Sequence, residues 1–513
     1  MTELAYHFAE AGEDGDPVRA VRYLTTAGTR ALSAHAFDEA VRQLTRAVEL
    51  AAAVEDRSVL ADALARLADA QWKAGVETYA ETSERAVGVA IEVQDGELLA
   101  RALLPGWVSI LGAQLRDHPE VRAHAETALE LLGTDPAQAR LAAELRIAHA
   151  TGSALVTTLS ERIALFEVAV EAARDTGDDT LLAYALGSMC ISVNHPSTLD
   201  ARRHAVEELR ALRRRIASPR ELMTSLQVSF TVALHEGRTH DELAELTAEQ
   251  TAIGEDARVP VYQGLSSFLR AVVSVLGGEL TTAERQLAEG LRLTEYEPIM
   301  GRSAAGALTI MLRREQGRIA EVTPMLEQVS EEFGQPPVWM AALSLSYALA
   351  GHNDKAREGL DWFATIGVDK LPENAMWAVT LAMLAEAVID VGGHGLADDL
   401  ERLLSPWTDQ VVFEGGTACF GAIAHHVGRL QGLAGRSREA VASLEQALEI
   451  HERMGARPWA CRTQLALARE LHREGETDRA VTLRQSARAE AEEAAWKGVI
   501  EVADRLEQEI SEG

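Results

Sequence analysis

A pattern of small and apolar residues that recurs about every 40 residues constrains the fold of this 513-residue chain more than any other feature. Around Ala40, small or apolar side chains stand 16, 13, 12 and 9 positions earlier and 4 and 7 positions later. These offsets give each of two consecutive helices one apolar face, and the two faces pack together as a hairpin. The same offsets recur with good but imperfect fit around Ala440 and Ala480, and eleven steps from Ala40 to Ala480 give a mean period of 40 residues.

The repeat pattern predicts twelve helical hairpins, each marked by a small or apolar anchor residue that lets two helix axes approach closely. The anchors are Ala40, Ala80, Val121, Ile163, Ala201, Leu243, Ala283, Val322, Ala356, Ala397, Ala440 and Ala480. Seven of them have a glycine five residues earlier, where the first helix of the hairpin should end. Hairpins of this kind stack in a row, so we expect each to touch only its neighbours and the array to present a long concave surface.

Composition supports an all-helical chain and narrows the classes of function. Apolar residues make up 47% of the chain and aromatic residues 5%, and no stretch alternates long enough to predict a sheet; the segment Val411–Phe413 is too short. A net charge of −30 argues against coating nucleic acid or an anionic membrane. Three separated cysteines and the absence of a long apolar window predict a reduced protein in the cytoplasm, without a membrane span.

Motifs for catalysis or cofactor binding are missing from the sequence. No GxxxxGK[ST] loop occurs, and VGGHGLADDL, residues 391–400, has incomplete GxGxxG spacing and no strand before it. The sequence also contains no GxSxG, HExxH or paired-cysteine metal signature. We therefore predict no enzyme activity, no catalytic residues, no cofactor and no metal.

The sequence resembles known families at two levels, one general and one more specific. The segments FDEAVRQLTRAVELA and SREAVASLEQALEIHERMGARPWACRTQLALAREL resemble tetratricopeptide repeats. Residues 3–32, ELAYHFAEAGEDGDPVRAVRYLTTAGTRAL, are similar to the start of the helical-repeat region in bacterial STAND-type ATPase regulators, both LuxR-type and adenylate-cyclase-linked. Residues 414–476 resemble the last repeats of the same regulators, while the middle of the chain matches only as generic helical repeats.

The resemblance implies an all-α fold, an α-solenoid of about twelve tetratricopeptide-like hairpins that forms a right-handed superhelix. Residues 1–16 would form a helix leading into the repeats, residues 17–495 the repeat array, and residues 496–513 a C-terminal capping helix. In that family a nucleotide-binding domain precedes the repeats and some members carry a helix-turn-helix after them. This sequence has neither motif, so the resemblance implies a role in sensing and interaction, and not in ATP hydrolysis or DNA binding.

By analogy with tetratricopeptide grooves, the concave face should be lined by residues 15, 11 and 7 positions before an anchor. In the last two complete repeats this rule selects His425, Arg429, Arg469 and Arg473. Guanidinium and imidazole groups can bind a carboxylate or phosphate, so these residues are candidates for an anion-binding or partner-binding groove. The alternative is that such arginines form ion pairs with glutamates of the neighbouring repeat.

Three hypotheses for function remain open from the sequence. The first is a non-catalytic scaffold that binds a protein, a peptide or a small effector on its concave face, as the sensor arm of a STAND-type regulator. The second is an independent adaptor protein unrelated to an ATPase. The third is an enzyme with its active site inside the superhelix, which carboxylates and histidines of strongly perturbed pKa in one deep pocket would favour.

Overall fold

The computed structural model describes residues 16–104, 119–133, 135–153, 156–295, 298–332, 336–414 and 417–512. Within these ranges the chain forms 25 α-helices and one pair of short strands, so it is an all-α solenoid as the sequence predicted. The helix predicted for residues 1–16 lies outside the described residues except for Asp16, which caps the first helix: its side chain accepts a hydrogen bond from the Arg19 N–H.

The first half of the solenoid consists of helices with short connections between them. In chain order they are α1 (Pro17–Ser33), α2 (Phe37–Ala51), α3 (Arg57–Ala74), α4 (Tyr79–Val93), α5 (Gly96–Leu103), α6 (Pro119–Leu132), α7 (Ala139–Gly152), α8 (Leu159–Asp175), α9 (Asp179–Ser192), α10 (Leu199–Leu212), α11 (Pro219–His235) and α12 (His240–Ala257).

The second half continues the helical pattern and contains the two strands. Its elements are α13 (Pro260–Leu276), α14 (Leu280–Leu293), α15 (Pro298–Glu315), α16 (Thr323–Glu332), α17 (Pro337–Leu349), α18 (Asn353–Ile366), α19 (Trp377–Asp390), α20 (Ala397–Leu404), β1 (Val411–Glu414), β2 (Ala418–Ala422), α21 (Ile423–Leu433), α22 (Ser437–Arg453), α23 (Arg457–Arg473), α24 (Thr477–Glu493) and α25 (Lys497–Glu512).

Close packing within a hairpin depends on the small residue twelve positions before the anchor. A Cβ atom at Gly28 would lie 2.5 Å from Cγ of Leu44, and one at Gly428 would lie 2.8 Å from Cγ of Leu444. Both glycines therefore let the first helix of a hairpin approach the second, as the repeat pattern predicts. The predicted helix ends are also confirmed, since all seven glycines have positive φ; they are Gly75, Gly278, Gly317, Gly351, Gly392, Gly435 and Gly475.

The predicted anchors hold at both ends of the chain and fail in places between them. Seven anchors are buried, namely Ala40, Leu243, Ala283, Val322, Ala356, Ala440 and Ala480. Ala80 and Ala201 are exposed, so the predicted register was wrong at these two anchors, and the nearest buried positions in their helices belong to Thr82 and Arg202. These side chains are polar, and a pattern of small and apolar residues does not select them. Ile163 and Ala397 are half-buried. Val121 lies in α6, and its side chain is outside the described residues.

The strands β1 and β2 contradict the expectation that residues 411–413 are too short to form a strand. They pair antiparallel, with Val411 opposite Ala422 and Phe413 opposite Cys419. Both strands are buried along their described length. A strand that is buried on both faces consists of an unbroken apolar run, so it lacks the alternation of apolar and polar residues from which a strand is predicted. The pair lies between separate repeats: the Phe413 ring meets Phe230 of α11 at 5.8 Å between centroids, and the Ala422 N–H donates to Nε2 of His451 in α22 at 2.8 Å.

The expectation that each hairpin touches only its neighbours is also wrong. Among the described residues, five hydrogen bonds join residues 211 to 218 positions apart, which corresponds to about five hairpins, so successive turns of the coil contact one another. These bonds run from Arg162 Nη2 to Glu373 O (2.6 Å), Gln410 Nε2 to Pro196 O (3.1 Å), Arg453 Nε to Gly237 O (2.9 Å), Arg453 Nη2 to Glu236 O (3.3 Å) and Trp496 Nε1 to Gly278 O (2.9 Å). Successive turns contact one another, and the strand pair lies among the repeats. The space inside the coil is therefore divided into cavities, whereas the sequence predicted one open concave surface.

Candidate functional site: an arginine-rich cavity

A cavity of about 220 Å³ lies among α15, α17, α19, α21, α23 and α25. Five arginines and three carboxylates line it, so its wall carries an excess of two positive charges within a chain of net charge −30. The charged lining residues are Arg314, Glu386, Asp390, Arg429, Arg462, Arg469, Arg505 and Glu509, together with His425 and the apolar side chains of Leu349, Ile389, Leu465, Ala466, Val502 and Leu506. We call this space the arginine cavity.

Three of the four residues predicted from the sequence line the arginine cavity. They are His425, Arg429 and Arg469, which the repeat offsets bring together from α21 and α23. Arg473 is not among the lining residues: its Nη1 donates to the carbonyl of Gly432 at 3.0 Å and to Oε1 of Glu470 at 2.9 Å. Arg473 lies one helical turn beyond Arg469, and its guanidinium reaches back to the end of α21.

The inner wall of the cavity is a buried ion-pair network. Nη2 of Arg314 lies 2.8 Å from Oε2 of Glu386, and both side chains are almost completely buried. The Arg314 guanidinium stacks over the Trp459 ring at 4.5 Å, and Nε of Arg462 lies 3.1 Å from both carboxylate oxygens of Glu315. Burial alone would raise the pKa of Glu386, but the Arg314 guanidinium, supported by Arg429 and Arg462, more than offsets this and lowers that pKa. Glu386 is therefore ionised at neutral pH.

Arg429 is the arginine of this cavity with the weakest partner. Its Nη2 lies 3.8 Å from Oδ1 of Asp390, and Nη1 of Arg505 shares that same oxygen at 3.5 Å. Arg469, by contrast, binds Glu509 through two nitrogens at 2.9 Å each, which is the ion pair with the neighbouring repeat that the alternative interpretation predicted. Burial lowers the pKa of Arg429, with partial compensation from Asp390, but a guanidinium stays protonated at neutral pH. Arg429 therefore keeps donors that no carboxylate closely engages.

His425 forms the deepest polar surface of the cavity. It is 1% exposed, and its Nδ1 lies 2.9 Å from Oγ1 of Thr463 in α23. Its Nε2 has no hydrogen-bond partner within the described residues. Burial, with the nearby positive groups of Arg429 and Arg314 adding to it, holds the pKa of His425 well below its usual value, so the ring is neutral at pH 7.

Sequence reasoning missed most of the acidic and several of the basic residues in the arginine cavity. Glu386 carries a signal that could have been used: it is the single charge in the apolar run WAVTLAMLAEAVI of α19, and a buried charge needs a partner. Arg314 and Arg505 carry no such signal. Arg505 comes from α25, the helix that follows the hairpin of α23 and α24, whereas Arg314 comes from α15, three hairpins before α21. Packing of α15 against α25 brings Arg314 to the same cavity.

The described lining residues of the arginine cavity carry guanidinium, carboxylate, imidazole and apolar groups, and they include no serine, threonine, cysteine, tyrosine or lysine. The three cysteines are buried elsewhere, and burial raises the pKa of the Cys190 and Cys419 thiols to about 12. Across the described ranges there is no cluster of three or more metal-ligating side chains, and none of their helices is long and apolar enough to cross a bilayer.

Solved structures that are similar to this chain include two distant likenesses. No family model matches the chain, and no curated protein matches it. The crystal structure of the APC/C hetero-tetramer Cut9–Hcn1 is similar at 13% identity and a TM-score of 0.44, covering 91% of this chain and 86% of that one. The TPR domain of P58(IPK) is similar at 11% identity and a TM-score of 0.22, covering 87% and 98%. Both scores are low, and neither likeness indicates a function for this chain.

Proposed function

We propose that this chain is a non-catalytic helical-repeat scaffold that binds a partner or effector through an anionic group held in the arginine cavity. The observation that carries the proposal is Arg429, whose guanidinium is mostly buried and has no carboxylate closer than 3.8 Å. A buried charge without a close partner is unfavourable, so a bound anion would stabilise this site. Arg505, at the more exposed end of the cavity, would be the second positive group to meet that anion.

The size of the arginine cavity limits what can enter it. Its volume of about 220 Å³ is somewhat larger than the ~150 Å³ of an engineered apolar cavity that holds one benzene molecule. A small carboxylate or phosphate compound fits this space, and so does one acidic side chain or the terminal carboxylate of a protein partner. A folded domain or an extended peptide does not. The proposal therefore favours a small effector, or a partner that inserts a single acidic group.

One observation favours the enzyme hypothesis and must be weighed against binding. Glu386 and His425 both line the cavity, each is 1% exposed, and both have perturbed pKa values. Both pKa values are lowered, however, so each group is a weak base at neutral pH, whereas a general base needs a pKa near the working pH. With no nucleophile in the lining, the arrangement supports recognition of an anion more than chemistry on it.

The wider role that we propose is that of the sensor arm of a STAND-type regulator in the cytoplasm. Its support is the resemblance of residues 3–32 and 414–476 to the repeats of those proteins, and the second segment contains His425, Arg429, Arg469 and Arg473. Occupancy of the cavity would then bias the ATPase switch of the complete regulator. If a STAND ATPase encoded beside this chain hydrolyses ATP at the same rate with and without it, the independent adaptor becomes the better hypothesis.

Calorimetric titration of the chain with succinate and with inorganic phosphate tests the binding proposal. We expect at least one of the two anions to bind the wild type. Arg429→Met should weaken that binding by about 10- to 150-fold, because a hydrogen bond to a charged group contributes about 1.5–3 kcal/mol. Arg473→Met is the matched control, since Arg473 lies outside the cavity, and its affinity should match the wild type. Equal affinities for the two variants would contradict the proposed site.

A further inference from the structure

The hydrogen bonds around Thr463 determine which nitrogen of His425 carries the proton. The Thr463 hydroxyl donates to the carbonyl of Trp459 at 3.0 Å, so its one hydrogen is used there. His451 accepts the Ala422 N–H at its Nε2 at 2.8 Å, so a neutral His451 is protonated on Nδ1 and donates to Oγ1 of Thr463 at 2.9 Å. Oγ1 of Thr463 has a second lone pair, which faces Nδ1 of His425 at 2.9 Å.

It follows that His425 donates from Nδ1 and presents a bare lone pair at Nε2. If Thr463 donated to His425 instead, its oxygen and the carbonyl oxygen of Trp459 would face each other at 3.0 Å without a hydrogen between them. Nε2 of His425 is therefore a buried acceptor without a partner among the described residues, in a cavity whose other polar groups are mostly donors. A carboxylate without a hydroxyl offers no hydrogen to it.

His425 is more buried than Arg429 and Arg505, the two arginines that would hold an anion. His425 and Glu386 are 1% exposed, whereas the side chain of Arg429 is 17% exposed and that of Arg505 is 53% exposed. His425 and Arg429 are four residues apart in α21, so their side chains lie on one face with Cβ atoms about 5–6 Å apart. One small molecule can therefore meet both, with its donor inward and its anionic group outward.

From this geometry we infer that the ligand of the arginine cavity is a small hydroxycarboxylate, in which a hydroxyl adjacent to a carboxylate donates to Nε2 of His425 while Arg429 and Arg505 bind the carboxylate. The inference rests on the proposed function and specifies its ligand class. A hydroxyl suits the site better than an ammonium group, because the lining already has an excess of two positive charges. Analogues without the hydroxyl leave this buried acceptor unpaired and should bind more weakly.

Three nearly isosteric dicarboxylates test the inference by calorimetry on the full chain. Malate carries a hydroxyl, succinate a hydrogen and aspartate an ammonium group at the same carbon. We expect malate to bind about three- to tenfold more tightly than succinate, which corresponds to one net hydrogen bond, and more tightly than aspartate. In His425→Leu the affinities for malate and succinate should become equal, and succinate binding should be retained.

A measurement on the wild type avoids any dependence on the folding of that variant. Imidazole ¹⁵N shifts of His425 should show a protonated Nδ1 and an unprotonated Nε2, and malate, unlike succinate, should shift the Nε2 resonance. Equal affinity for malate and succinate, with a loss in Arg429→Met, would overturn the hydroxycarboxylate inference and leave anion binding intact. Tightest binding of aspartate would overturn it in favour of an ammonium group. No binding of malate, succinate, aspartate or phosphate would overturn the proposed function itself.

Discussion

The substitution Glu386→Gln probes the inner wall of the arginine cavity most directly. The carboxylate of Glu386 is 1% exposed and lies 2.8 Å from Nη2 of Arg314, which is 4% exposed. Glutamine keeps the size of the side chain and removes its charge. The substitution therefore leaves the Arg314 guanidinium buried without its carboxylate partner, near the positive groups of Arg429 and Arg462.

The expected loss is about 3–5 kcal/mol in the free energy of unfolding, which is the usual result when one partner of a buried ion pair is removed. The double substitution Glu386→Leu with Arg314→Met replaces both charges by apolar groups of similar volume. It should recover most of that loss, because no charge is then left buried without a partner. The exposed pair formed by Arg438 and Glu474 at 3.0 Å serves as the control, and Glu474→Gln should cost less than about 1 kcal/mol.

Urea denaturation followed by far-UV circular dichroism at pH 7 measures these differences. Different repeats of a helical-repeat protein can unfold at different urea concentrations. The transition that includes the C-terminal repeats must therefore be identified by the fluorescence of Trp459, with a Trp459→Phe variant for comparison. An unfolding midpoint for Glu386→Gln equal to that of Glu474→Gln would refute the reasoning. It would mean that the Glu386 carboxylate is not needed to balance the buried guanidinium groups.

Two further predictions concern the packing around the cavity. Burial lowers the pKa of His235 and of His451 to about 3, so between about pH 6.5 and 3 the unfolded chain binds protons that the folded chain does not. The melting temperature should therefore fall as the pH is lowered through that window. In the His451→Gln variant it should fall less steeply. A Cβ atom at Gly278 would lie 2.1 Å from Cζ2 of Trp496, so Gly278→Ala should lower the free energy of unfolding by about 1–3 kcal/mol more than Gly351→Ala, measured by urea denaturation. Gly351 has the same positive φ and nothing within 4 Å of such a Cβ, and equal losses at the two glycines would show that the contact between turns does not stabilise the coil.

The candidate site could be predicted in part, for a reason that the repeat makes clear. His425, Arg429 and Arg469 occupy fixed offsets in two consecutive repeats, and the packing of neighbouring hairpins is local enough to place them on a shared face. Arg473 fits the same rule but does not line the cavity, because its guanidinium bonds to the end of α21. Offsets select a backbone position, whereas the direction of a long side chain depends on the acceptors available around it.

The sequence by itself determined the helical hairpins, their mean period and the glycines that end their first helices, because helix periodicity and positive φ are local properties of the chain. The tertiary structure alone decided that turns of the coil contact each other some 215 residues apart, that a buried strand pair lies between repeats, and that Arg314 meets Arg429. These features depend on small rotations between successive hairpins that add up over several repeats. A pattern that repeats every forty residues does not specify the accumulated rotation.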